Sequence, residues 1–309
     1  MSDQIDPTNA TSSSFNRRAF VGLSAGATAY ASTLAGARAA DEDFGQPHLP
    51  IVPENDPTIA TGRPKLIDGA RSIDAYYASP RNAGPSTPAI VVVQHIWGVD
   101  AQIRDTVRRL AKAGYIALAP DLYAGLGAPS GDGMSEIALF RPAARALSDA
   151  QVDADLATAA RFIRSGAGGK PQKIGVMGFC MGGGITLRQT VDNATLFAAA
   201  AVFYGKVRYD TSGNDVGPIT PMALAYADDI GVPLAGSWGA RDTSILAADV
   251  LALDARLAAL KKPHDLKVYD EAGHAFFDDT RGAYVASAAT DAWTRTLAHF
   301  AKYLVSSRR

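Results

Sequence analysis

The hydrophobic positions of this chain alternate between two patterns. Residues 88–93, Pro-Ala-Ile-Val-Val-Val, form an unbroken apolar run of the kind a strand shows when both its faces are covered. In residues 104–113, Val107, Leu110 and Ala111 fall in three-and-four spacing, which predicts a helix that Gly114 ends. The alternation continues along the chain. Strands are predicted over 115–120, 173–177, 196–204, 232–238 and 266–269, and helices over 152–165, 184–189, 247–261 and 290–305. In 152–165 one face collects Leu156, Ala159, Ala160 and Ile163. Strands alternating with helices predict an α/β fold with a mostly parallel sheet and helices on both faces. Ligands on such sheets sit at the carboxyl ends of the strands.

Composition changes this picture mainly at the N-terminus. The 309 residues are 47% hydrophobic with a formal net charge of −1, which allows a sizeable core and argues against a nucleic-acid partner. Asn16-Arg17-Arg18-Ala19-Phe20-Val21 precedes a mildly apolar stretch, then Ala37-Arg38-Ala39 offers a small-x-small cleavage pattern ahead of Asp41-Glu42-Asp43. Residues 1–39 thus resemble a bacterial twin-arginine export signal, and the mature protein is expected in the periplasm without a permanent membrane span. Residues 40–62 read as a Pro-rich linker or arm, and 63–309 as one domain. A monomer is the default expectation.

Cys180 is the only cysteine, so it cannot pair within the chain. It sits in Gly178-Phe179-Cys180-Met181-Gly182-Gly183, directly after a predicted strand and before a helix. This is a Gly-x-nucleophile-x-Gly elbow with cysteine in the serine place, which points to the α/β-hydrolase variant of the fold. The glycines remove side chains that would collide with nearby backbone, and the thiol projects above the sheet. The helix N-terminus favours thiolate over thiol, and the Met181 N–H there is a donor for a developing oxyanion. A second donor is expected from the loop after an early strand, Gln94-His95-Ile96-Trp97-Gly98, with the Ile96 N–H as candidate.

A cysteine nucleophile needs a base. Of five histidines, His48 lies in the arm, His264 in a polar turn and His299 in the terminal helix. His95 and His274 remain. Nucleophile, acid, histidine is the chain order of this fold, and His274 takes the last place. Asp242, after the strand over 232–238, is favoured as the acid over Asp228, Asp229, Asp249 and Asp254. The Gly-rich segment 123–140 is expected to be a mobile loop over the site.

With these residues in place the chain resembles the dienelactone hydrolase (carboxymethylenebutenolidase) family. The resemblance spans roughly 90–304. It rests on Gln94-x-Ile-x-Gly-Val99, Pro120-Asp121-Leu122-Tyr123, the Gly-x-Cys-x-Gly-Gly elbow, Gly239-x-x-Asp242 and Glu271-Ala272-Gly273-His274-x-Phe276. It implies an α/β-hydrolase fold and a Cys180-His274-Asp242 triad. It further implies an oxyanion hole of the Ile96 and Met181 amides, opening of enol-lactones such as dienelactone, and neither metal nor organic cofactor. Two positions depart from the family pattern. His95 stands where a thiol-activating Glu follows the Gln, which makes it a candidate auxiliary base. Asp278 stands where an Arg grips the substrate carboxylate. Arg281, Arg141 and Tyr123 are the candidates for substrate binding in its stead. Other readings of the same residues are a non-catalytic small-molecule binder on a hydrolase scaffold and a related acyl-transfer or thioesterase activity.

Overall fold

In the computed structural model, which describes residues 48, 50–166, 173–208 and 226–305, the apolar runs build one nine-stranded sheet. Its strands are β1 (Ile59–Gly62), β2 (Lys65–Asp68), β3 (Arg71–Pro80), β4 (Ala89–Val93), β5 (Ile116–Pro120), β6 (Ile174–Phe179), β7 (Ala199–Phe203), β8 (Leu234–Gly239) and β9 (His264–Tyr269). The helices are α1 (Ala101–Lys112), α2 (Arg141–Ala146), α3 (Asp149–Arg164), α4 (Met181–Asp192), α5 (Ala247–Ala259) and α6 (Ala286–Leu304). The strand order is β1-β3-β5-β4-β6-β7-β8-β9, with β2 paired to β3. Pairings from β5 through β9 are parallel, and those involving β3 are antiparallel.

Every residue of β4, β5, β6, β7 and β8 is buried, which is why these strands read as unbroken apolar runs. Helices cover both faces. A Cβ on Gly175 would meet Phe300 and Leu304 of α6, whereas one on Gly178 would meet Thr186 of α4. The α/β-hydrolase expectation therefore holds. Among the described residues no helix is long and apolar enough to cross a membrane.

Several boundaries differ from the sequence pattern for physical reasons. The helix after the elbow starts at Met181 rather than 184, because the chain turns sharply at Cys180 and needs no further linker. Asp100 caps α1 by accepting from the Ile103 N–H at 3.2 Å, so that helix begins three residues before its apolar stripe. His264 is the first residue of β9 rather than part of a turn. Strands β1, β2 and β3 were not foreseen. They are antiparallel and half-exposed, and β1 and β2 are only four residues long.

The predicted export signal 1–39 lies outside the described residues. The expected linker 40–62 ends in β1, and from residue 50 it is docked on the domain. Asp105 of α1 has no exposed surface, and its carboxylate accepts the Ile51 N–H at 3.0 Å and the Val52 N–H at 2.9 Å. Arg108 donates back to the Val52 carbonyl at 2.5 Å, and Lys112 reaches Asp56 at 2.8 Å. Arg109 bridges Asp105 and Asp279, and the His48 N–H donates to the Asp279 carbonyl at 2.6 Å. One buried carboxylate thus satisfies two backbone amides of the arm and two guanidinium groups. Replacing it by Asp105→Ala should cost about 3 kcal/mol, the usual loss when one partner of a buried ion pair is removed. Urea denaturation would check this, and an unchanged midpoint would show that the arm is not held this way.

Candidate active site

The elbow is built by backbone in close approach. Cys180 has φ 53° and ψ −116°, a left-handed conformation that costs a non-glycine residue about 1–3 kcal/mol. Three hydrogen bonds hold it. The Cys180 N–H donates to the Phe203 carbonyl at 3.0 Å, and the Cys180 carbonyl accepts from Gly183 and Gly184 at 3.0 and 3.2 Å. The glycines have no room for a side chain. A Cβ at Gly178 would lie 2.2 Å from the Gly182 carbonyl oxygen, and one at Gly182 would lie 2.3 Å from that of Gln94. A Cβ at Gly183 would strike Gly205 at 2.7 Å. The motif is therefore steric, as its spacing implied.

The acid and the histidine come from the ends of the last two strands. His274 follows β9, and Asp242 follows β8. Gly239 lets the two loops touch: a Cβ there would sit 2.4 Å from the Ala272 carbonyl oxygen and 2.6 Å from that of Gly273. The result is one line of contacts. His274 Nε2 lies 3.1 Å from Cys180 Sγ, and His274 Nδ1 lies 2.6 Å from Asp242 Oδ2. The other Asp242 oxygen accepts from the Ser244 N–H and hydroxyl at 2.8 and 2.7 Å and from the Ile245 N–H at 3.1 Å, so the carboxylate cannot rotate away.

Electrostatics favours charge separation along this line. Burial opposes the Cys180 thiolate, but the charge of His274 and its hydrogen bond, the His95 cation and the Met181 N–H together hold the thiol below its ordinary range. Burial likewise opposes the His274 imidazolium, yet the Cys180 sulfur and Asp242 raise it to about 10. Burial disfavours the Asp242 carboxylate, and its bonds to His274 and Ser244 still keep it below the usual carboxylate range. Each charge of a thiolate–imidazolium pair therefore favours the other across the 3.1 Å contact.

The loop after β4 carries the remaining candidates. Tyr123 is buried, and its hydroxyl donates to the Ile96 carbonyl at 3.0 Å with Met181 Sδ 3.7 Å away. It therefore braces Ile96 and Met181 rather than offering its hydroxyl to a ligand. His95 is buried with Nε2 2.9 Å from Asp100 Oδ1. Burial disfavours its charge, but Asp100 outweighs this and raises its pKa. In its charged form it favours the thiolate of Cys180.

Each nitrogen of Arg281 has a partner. It donates to Asp278 Oδ2 at 3.0 Å, to Asp100 Oδ2 at 3.4 Å and to the Met134 carbonyl at 2.5 Å, and its guanidinium lies 4.2 Å from the centre of the Trp97 ring. Arg141 opens α2, half-buried, with no hydrogen bond or ion pair among the described residues. The segment expected to be a mobile loop is tied down in its middle, by Arg281 on Met134, by Arg104 on Asp132 at 2.7 Å, and by Gly131, which packs where a Cβ would lie 1.9 Å from the Trp97 carbonyl oxygen.

Sequence reasoning missed three groups here. Asp100 was legible as a helix N-cap. Ser244, in an Asp-x-Ser turn, carried a weaker signal. Tyr204, whose ring lies 5.3 Å from that of His274 and whose φ is 39°, had no signal, because its position depends on where β7 ends beside β6.

Comparison with known proteins finds similar chains over most of the domain. The model of the dienelactone hydrolase family matches residues 73–304. A Salmonella typhimurium protein named "Putative carboxymethylenebutenolidase" is 38% identical over 248 residues, covering 80% of this chain and 89% of its own. A Bradyrhizobium protein named "Probable 2-oxo-3-(5-oxofuran-2-ylidene)propanoate lactonase" is 30% identical over 251 residues, covering 81% of this chain and 98% of its own. Among solved structures, one titled "Putative Dienelactone Hydrolase" from Klebsiella pneumoniae superposes with a TM-score of 0.70 at 36% identity, covering 79% of this chain and 99% of its own.

The ion pair makes a direct prediction. Alkylation of Cys180 by iodoacetamide should rise with pH to its plateau below the ordinary thiol range, since the thiolate persists above a depressed pKa. His274→Gln removes the cation and should move the midpoint up toward about 8.5. A midpoint that the substitution leaves in place would rule out the pair.

Proposed function

The chain belongs to the dienelactone hydrolase family and is a hydrolase of carboxylic esters and lactones, and we propose that Cys180 is its nucleophile, His274 its general acid and base, and Asp242 the group that orients His274. The observation that carries this reading is the unbroken contact line of 3.1 Å and 2.6 Å from Sγ through the imidazole to the carboxylate.

The reaction follows from the geometry. The thiolate attacks the acyl carbon, and the carbonyl electron pair moves to oxygen. The oxyanion is received by the Ile96 and Met181 N–H groups, of which Met181 sits at the start of α4 and Ile96 donates to none of the described residues. When the carbonyl reforms, the carbon–oxygen bond breaks and the leaving oxygen takes the proton from His274 Nε2. A thioester remains, with the alcohol still tethered if the substrate is a lactone. Neutral His274 then removes a proton from water, and the hydroxide attacks the thioester. Collapse expels the Cys180 thiolate and restores the ion pair, and the released acid gives its proton to solvent. The names borne by the relatives favour an enol-lactone over a simple alkyl ester.

Cys180→Ala should lower turnover of para-nitrophenyl acetate at least about a thousandfold while leaving the thermal midpoint within a few degrees. Turnover equal to that of the parent protein would reject the mechanism. The pH profile of kcat/KM should be a bell. Its acid limb marks protonation of the thiolate, and its alkaline limb is expected near the value of about 10 at which His274 loses its proton.

We propose in addition that residues 1–39 direct export through a twin-arginine route. The support is Arg17-Arg18 ahead of the weak apolar stretch and Ala37-Arg38-Ala39 at its end. Exchanging both arginines, Arg17→Lys with Arg18→Lys, should abolish appearance of the shortened protein in the periplasmic fraction. Undiminished export of that variant would refute the assignment.

A further inference from the structure

The charges around the sulfur are balanced in a way that bears on the substrate. Besides the Cys180–His274–Asp242 line, a second buried cluster joins His95, Asp100, Arg281 and Asp278 by contacts of 2.9, 3.4 and 3.0 Å. Its members come from the loop that carries Ile96, the cap of α1 and the loop that follows His274. Trp97, the neighbour of Ile96, lies flat beneath the Arg281 guanidinium. A carbonyl seated on the Ile96 amide therefore has this cluster on its flank.

We propose that the site selects lactones and esters that are uncharged beyond the scissile bond, and that Asp278 is the residue that sets this preference by holding Arg281 in an ion pair. The proposal rests on the hydrolytic reading above. Arg281 lies 4.2 Å over the Trp97 ring of the oxyanion loop, but its charge is already matched by Asp278 and Asp100, and a further donor hydrogen is taken by the Met134 carbonyl. Asp278 is itself 3% exposed, and its second oxygen accepts from the Thr280 N–H and hydroxyl at 3.2 and 2.6 Å, so the pair has no slack with which to release the arginine.

Arg281 thus faces two carboxylates at once, those of Asp278 and Asp100. A substrate carboxylate entering the site would shed water without gaining a free cation, which is unfavourable. Tyr204, its ring tilted 59° to that of His274 at 5.3 Å, senses the same field: burial raises its phenol pKa, and Asp278, Cys180, Asp279 and Asp100 raise it further. Arg141 is the competing cation. It stands at the start of α2, where Phe140 rather than Arg141 makes the contact with Trp97, at 5.2 Å between ring centres.

The test compares a butenolide carrying an exocyclic methylene group with the same ring bearing a carboxylate on that methylene carbon. The wild-type protein should open the neutral lactone with a kcat/KM about tenfold or more above the anionic one. Asp278→Asn frees Arg281 and should narrow the ratio severalfold. Arg281→Gln leaves Asp278 uncompensated and should widen it. The ratio is taken on one sample, so a partly folded variant still reports it. Preference of the wild type for the anionic lactone would overturn the proposal, as would a ratio that neither variant moves. Selective loss of the anionic substrate in Arg141→Gln would overturn it too, by making Arg141 the anion clamp. If the wild type opens neither lactone and leaves para-nitrophenyl acetate intact, the hydrolytic reading fails and this proposal fails with it. If both lactones open through Cys180 with the anionic one favoured, only the charge preference falls.

Discussion

The backbone turn at Cys180 is the constraint on which the site depends. Its left-handed conformation is unfavourable by itself, and it persists because β6 lies between β4 and β7. Those neighbours supply the opposing surfaces. The end of β4 presents the Val93 and Gln94 carbonyls to Gly182, and the end of β7 presents the Phe203 carbonyl to the Cys180 N–H and Gly205 to Gly183. Helix α4 is pressed against the carboxyl ends of these central strands, and its first amide, that of Met181, is directed at the sulfur. Strain, thiolate stabilisation and the oxyanion site are thus consequences of one close approach, and glycine at 178, 182 and 183 is the condition for it.

Two His–Asp pairs share this small volume and do different things. In the first, Asp242 takes His274 Nδ1, so Nε2 is turned toward the sulfur and can exchange protons there. In the second, Asp100 takes His95 Nε2 and also caps α1 through the Ile103 N–H. The carboxylate that keeps His95 charged also makes it a poor proton acceptor. His95 therefore fits the role of a fixed positive charge that helps hold the thiolate, better than that of the auxiliary base its place in the sequence suggested. Both imidazoles favour the thiolate, and both act before any substrate arrives.

How much of this was legible follows from the range of each interaction. The parallel strands were readable because burial on both faces leaves an unbroken apolar run, and the elbow was readable because its steric demand is local. His274 and Asp242 could be chosen by order along the chain, since each must follow a strand. Antiparallel β1 to β3 escaped because half-exposed edge strands carry mixed polarity, and β1 fell inside what read as a linker. Partnerships between loops escaped altogether. Nothing local to Arg281 says that it will meet Asp100, 181 residues away, or that Tyr123 will spend its hydroxyl on Ile96 instead of a ligand. Residue type and spacing name the chemical groups, while the sheet order decides which of them are occupied.

The adjacent residues Asp278 and Asp279 show what that occupancy achieves. Asp278 pairs with Arg281 beside the oxyanion loop, and Asp279 pairs with Arg109 of α1. Arg109 in turn holds Asp105, whose carboxylate binds the arm at Ile51 and Val52. The loop that starts at His274 is therefore anchored on two sides within five residues, once to the site and once to the outer helix. An imidazole that must stay about 3 Å from sulfur to transfer a proton requires a loop that does not wander. Buried ion pairs add little net stability when set against a well-packed apolar core, but their fixed geometry suits this task. The density of buried charge around this loop is better understood as the means of holding His274 in register with Cys180 than as a source of folding energy.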